Sequence, residues 1–167
     1  MEESEEEENI KEEVYIKDNN LFKFNHIVNI SKSIVKIKVQ QKKFGTGFLI
    51  KFNKINKPLY CLMTNEHIVS NDMIKNEEKI EIFYENEKSH LSIKLNKKER
   101  IIQTFKEMKI DVTIIEILEK DKINKEYFLS SISYYINEYK YFIGEDIEIQ
   151  QFPLGKDLFL SKGKVLE

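Results

Sequence analysis

The sequence predicts an all-β domain, an antiparallel barrel or sandwich. Two observations carry that expectation. About nine short segments alternate apolar and polar residues with the period of a half-buried strand, and turn residues separate them at short spacing, leaving little of the chain to read as helix.

Taken in order, Met1 to about Val14 is dominated by Glu. Like charges at that density repel and bury nothing, so this stretch reads as an acidic disordered tail, extended to 1–22 when the domain is drawn. Phe22, Phe24 and Ile27 suit an arm packing on the domain, and His26 lies among them without a companion. Ser33 to Gln40 alternates Ile, Val and Lys and reads as the first strand. Gln41, Lys42 and Lys43 read as a polar turn. Phe44-Gly45-Thr46-Gly47-Phe48-Leu49-Ile50-Lys51-Phe52 follows as a strand with two glycines inside it. Such glycines mark a bulge or a close approach of another group. No Lys-Ser or Lys-Thr comes after them and a strand rather than a helix does, which excludes a phosphate loop.

Pro58 opens a strand that runs to Thr64. A short turn or a single helical turn is expected over Ile68 to about Met73, then strands over Lys79–Tyr84, His90–Leu95 and Ile101 to near Thr104. Asp111 to Leu118 (Asp-Val-Thr-Ile-Ile-Glu-Ile-Leu) has the strongest strand pattern, with an aspartate at its head. Residues 121–143 read as a polar, aromatic connector. Glu145–Phe152 and Leu158–Leu166 are the last two strands, joined by the turn Pro153-Leu154-Gly155.

The bulk numbers bound the function. The chain has 167 residues, 41% apolar and 34% charged, which supports one domain with a real core. Its net charge of -2 leaves no excess of Lys and Arg to neutralise phosphates, which argues against a nucleic-acid partner. One cysteine, Cys61, forms no internal disulfide, and the Glu-rich start is not a signal peptide; a cytoplasmic location is expected. No apolar run approaches the ~18 residues of a membrane span. Three scattered histidines and one cysteine lack metal-ligand spacing, so neither metal nor cofactor is expected.

The chemistry-bearing stretch is Cys61-Leu62-Met63-Thr64-Asn65-Glu66-His67-Ile68-Val69. A histidine just beyond a strand end is anchored by the core behind it while its ring faces open space, which suits general-base work. Asp111 follows 44 residues later, at the head of an apolar strand. A carboxylate on the far nitrogen of a histidine fixes its tautomer and stabilises the imidazolium.

These pieces, with Gly45-Thr46-Gly47-Phe48-Leu49-Ile50 before them and Phe152-Pro153-Leu154-Gly155 and Ser161-Lys162-Gly163-Lys164-Val165 after them, resemble the trypsin/chymotrypsin-like serine peptidases, in particular the cysteine-poor Deg-like branch. The resemblance covers about Ile34 to Val165. It implies a chymotrypsin-like antiparallel β-barrel fold, with the first barrel complete over about 31–120, a connector over 121–143, and the second barrel only begun over 144–167. It implies that His67 is the general base, that Asp111 is its orienting carboxylate, and that Gly45 and Gly47 let the first barrel pack closely near the site. The substrate it implies is a peptide or protein.

The sequence also departs from the family. No Gly-x-Ser-Gly-Gly-type turn is present. In the peptidase template the nucleophile falls roughly 90 residues after the aspartate, here near position ~200, beyond Glu167. Ser161 sits in a Ser-x-Gly-x-Val stretch that the family uses structurally, and the oxyanion amides belong to the same missing turn. The two residues before the histidine, usually small, are Asn65 and Glu66. A carboxylate there either perturbs the base or faces solvent.

The peptidase-like domain, 23–167, therefore reads as truncated before the nucleophile and inactive alone. Three readings stay open at this point. One is a serine endopeptidase domain completed by further chain. Another is a non-catalytic peptidase-like module that binds protein through an open barrel edge. The third is an unrelated all-β domain in which His67 and Asp111 are ordinary strand-end residues.

Overall fold

The structure is a computed structural model that describes residues 30–40, 43–53, 57–85, 87–130, 144 and 146–164. The acidic tail over 1–22, His26 and the 131–143 part of the connector lie outside the described residues.

Eight strands form one curled, barrel-like sheet. They are β1 (Ile34–Val39), β2 (Lys43–Phe52), β3 (Leu59–Thr64), β4 (Lys79–Tyr84), β5 (Ser89–Lys94), β6 (Ile102–Thr104), β7 (Thr113–Glu116) and β8 (Leu129–Ser130). The order across the sheet is β5-β4-β1-β2-β3-β7-β6, all antiparallel, and β8 adds to β2 in parallel. β9 (Asp146–Gln151) and β10 (Phe159–Lys164) form a separate antiparallel pair. The described chain is thus mostly β, with the short helix α1 (Asn71–Lys75), helical residues at Ile30 and Ser31, and a few 3-10 turns. Among the described residues no helix is long and apolar enough to cross a membrane.

Alternation explains the sheet. In β1, Val35, Ile37 and Val39 are essentially fully buried while Lys36 and Lys38 lie on the other face. Ile80 and Ile82 of β4, Ile93 of β5 and Ile115 of β7 continue the same core, which Val69, Met73 and Ile74 cover from one side. Each such side chain contributes about 1.5–3 kcal/mol when taken out of water.

The hydrogen-bonded path ends at β5 and β6, and these two are neighbours in the chain. Residues 95–101 span the gap between them. The Leu95 amide donates to Glu78 O at 2.9 Å on one side, and the Ile101 carbonyl accepts from the Glu116 amide at 2.8 Å on the other. Within this segment the buried Arg100 guanidinium donates to Asp121 Oδ2 at 2.8 Å and to Glu116 O at 2.9 Å. The chain itself, rather than strand pairing, spans from β5 to β6, and the ion pair ties the chain entering β6 to the segment that follows β7.

Several elements differ from the sequence expectation. The helical turn sits at Asn71–Lys75 rather than 68–73, because the Ser70 hydroxyl accepts from the Met73 amide and sets the helix start there. The register between β1 and β2 runs unbroken through Ile37↔Gly45 and Val35↔Gly47, so the two glycines mark close approach and not a bulge. β7 is shorter than expected and begins at Thr113, because Asp111 is engaged by the turn that follows β3.

Candidate active site

β3 and β7 are antiparallel neighbours, and Thr64 stands opposite Thr113 in their register. The chain leaving β3 and the chain entering β7 therefore share one end of the sheet. This places the residues just after Thr64 beside those just before Thr113, and brings His67 to Asp111.

The turn after β3 is built to project one side chain. The amides of Ile68 and Val69 both donate to Asn65 O at 3.1 Å. Ile68 and Val69 are buried, and the residue before them, His67, is turned outward with its side chain 63% exposed. Ile68 fits because position 45 is glycine: a Cβ there would stand 2.6 Å from Ile68 Cγ1 and Cγ2. Gly47 is equally crowded, with Ile37 Cδ1 and Leu62 Cδ1 both at 2.8 Å from an added Cβ. Thr64, behind the turn, donates to Thr46 O at 2.8 Å, and the Phe152 amide donates to Thr46 Oγ1 at 2.8 Å. Thr46 thus ties the base of the turn to the segment that follows β9.

Both oxygens of Asp111 face His67. Nδ1 lies 2.6 Å from Oδ2, and the His67 backbone amide donates to Oδ1 at 2.9 Å. The Asn65 side chain donates to Oδ2 and to the Asp111 carbonyl, each at 3.2 Å. Beyond the aspartate, Thr113 Oγ1 donates to Val69 O at 2.8 Å. The two segments are stapled at both ends. The Asp111 carboxyl is held below its ordinary range, chiefly by the His67 amide and then by the imidazole bond and charge, with burial opposing.

With Nδ1 against a carboxylate, the neutral imidazole carries its proton on Nδ1 and leaves a lone pair on Nε2. Among the described residues no hydrogen bond is made to Nε2. The arrangement can accept a proton on an outward-facing nitrogen and stabilise the resulting imidazolium.

Glu66 neither faces solvent nor reaches the ring. Its carboxylate is largely buried, accepting from the Asn71 amide at 3.2 Å with Lys106 Nζ 3.7 Å away. Lys43, read from sequence as part of a polar turn, opens β2 and donates through Nζ to the His67 carbonyl. Sequence reasoning missed this contact, and no spacing signal could have found it. Asn65 stood out only as a departure from a small residue.

The other chemistry-bearing residues lie apart from the pair. Ser161 sits within β10 opposite Ile149 and makes no bond to His67. His90 stacks on Phe83, with ring centroids 5.8 Å apart, and Cys61 is buried in β3. Among the described residues no cluster of three His, Cys, Asp or Glu could hold a metal ion. A groove of about 540 Å³, lined by Pro58, Leu59, Tyr60, Ile117 and neighbours, opens where β3 begins and β7 ends, the opposite end from His67.

No protein-family model matches the chain, and searches of curated proteins and of solved structures find no similar protein.

Proposed function

We propose that the chain carries the general-base half of a serine-type, trypsin-like endopeptidase site. His67 is the base, Asp111 orients it, and the serine hydroxyl comes from outside the described residues. The observation that carries this reading is the 2.6 Å contact of Nδ1 with Oδ2 in a carboxylate whose other oxygen is held by the same residue's amide. A hydroxyl brought to Nε2 would lose its proton to the ring as it attacks a peptide carbonyl, and the carboxylate would stabilise the imidazolium formed. The substrate is a peptide or protein, no cofactor takes part, and the single buried thiol of Cys61 fits a reducing, cytoplasmic compartment.

The base must be unprotonated on Nε2 in its neutral form. Long-range proton–nitrogen NMR of the histidine-labelled chain should show the Nδ1–H tautomer for His67; an Nε2–H tautomer removes the reading. The 167-residue chain alone should leave a serine-directed fluorophosphonate unreacted and cleave no peptide bond. Labelling by that reagent would place the nucleophile inside the chain and overturn that part of the proposal.

A second reading is a non-catalytic, peptidase-like module that binds protein through its open β edge. It is supported by Ile149, Phe159 and Leu160, which leave apolar surface exposed on the β9–β10 pair. That reading needs no lone pair on Nε2, so an Nε2–H spectrum favours it, while an Nδ1–H spectrum is compatible with both.

A further inference from the structure

We propose that Asn65 is a positioning residue for this pair. Its side-chain amide holds the Asp111 carboxylate where it selects the Nδ1–H tautomer of His67. The proposal rests on the general-base reading above and names what keeps that base in its working form.

The geometry is specific. Asn65 Nδ2 has two hydrogens, and it faces two acceptors of one residue, the Asp111 carbonyl and Oδ2, each at 3.2 Å. The reverse orientation of the amide would set its oxygen against a carbonyl and a carboxylate, so the donor side is the one that fits. Asp111 lies ahead of β7 and has no strand ladder of its own, and its side chain is 51% exposed. The His67 amide pins Oδ1 at 2.9 Å. Without Asn65, the carboxylate would keep the His67 ring and the backbone amides of Glu66 and His67 and would lose its side-chain amide donor.

That difference matters because the imidazole is the group that changes state. It rotates, gains a proton and loses it again, and with its ring 63% exposed, water competes for Nδ1. The Asn65 amide does not titrate. It keeps Oδ2 in place through both protonation states, so the acceptor is already waiting when the ring returns to neutral. This is preorganisation of a partner, achieved from two residues away along the chain.

The test measures the His67 tautomer by long-range proton–nitrogen NMR in the wild-type chain, in Asn65→Ala and in Asn65→Asp. The aspartate variant keeps the size of the side chain but cannot donate when ionised. Both variants should raise the Nε2–H to Nδ1–H ratio of neutral His67 about tenfold, the lower factor for one lost hydrogen bond to a charged acceptor. A wild-type tautomer ratio in Asn65→Asp overturns the proposal, because a merely structural role for the side chain predicts that result. A change in Asn65→Ala without one in Asn65→Asp overturns it as well. If the wild-type chain itself shows Nε2–H, the general-base reading fails and this proposal fails with it. If the wild type shows Nδ1–H and Asn65→Asp leaves it unchanged, only the role of Asn65 is lost.

Discussion

β7 is flanked by two aspartates, each paired with a basic side chain, and the two pairs serve opposite ends. Asp111 stands before the strand and meets His67; Asp121 stands after it and meets Arg100. In the first pair the side chains are 63% and 51% exposed, and in the second 4% and 6%. Burial decides what each can be for. An exposed pair contributes at most about 1 kcal/mol to folding, so the His67–Asp111 contact is poorly explained as a stabilising device. A buried pair cannot lose one member without stranding a charge in a medium that does not solvate it. Arg100 and Asp121 are bonded accordingly. Oδ2 takes Arg100 Nη1 at 2.8 Å and the Leu118 amide at 2.7 Å, while Nη1 also donates to the Glu116 carbonyl. One pair ties the chain entering β6 to the chain leaving β7; the other leaves a ring nitrogen facing outward.

The largest expected effect tests the buried side of that contrast. Asp121→Ala or Arg100→Met should each cost about 3–5 kcal/mol in urea unfolding. The double variant should cost clearly less than the sum, since it removes both charges. A loss under about 1 kcal/mol in the single variants would put the two pairs in the same class.

A middle-sized effect concerns the platform under the exposed pair. Gly45→Val drives a side chain into Ile68 and should cost about 1–3 kcal/mol, as overpacking does. Adding Ile68→Ala should recover part of that loss. No recovery would mean that the crowding at position 45 is relieved elsewhere, and that Ile68 does not seat the His67 turn.

The smallest effect sharpens the exposed side. The Asp111 carboxyl is depressed in the folded chain, so its contribution to stability is present above the ordinary aspartate value of 3.8 and is lost as pH falls through the lower folded value. Urea unfolding of the wild type and of Asp111→Asn across acid pH should show a small gap that closes below 3.8. A gap that persists to the lowest pH would show that the contribution comes from packing and not from the carboxylate charge.

Much of this was legible in the residues. Lys79–Tyr84 is expected as a strand and forms β4 with those bounds, because Ile80 and Ile82 point one way and Lys79 and Glu81 the other. His67 and Asp111 could be nominated together from one histidine beyond a strand end and one aspartate at a strand head. The buried Arg100–Asp121 pair was not legible, although a signal was present. Arg100 is the sole arginine in a chain whose Lys and Arg together number 27, and a planar fork is the cation suited to a buried carboxylate. β8 carried no signal, since two residues are too few to show a period. The role of Asn65 was hidden because it depends on a partner 46 residues away.

The sequence by itself determined where strands form and which face of each is buried, because alternation and turn residues act over a few neighbouring positions. Tertiary structure alone decided which strand ends share a rim, that a buried ion pair joins the chain entering β6 to the chain leaving β7, and that one aspartate is buried and the other open. Those outcomes depend on strand order and register, which bring distant residues together. Local chemistry named the candidates, and the antiparallel pairing of β3 with β7 put His67 against Asp111.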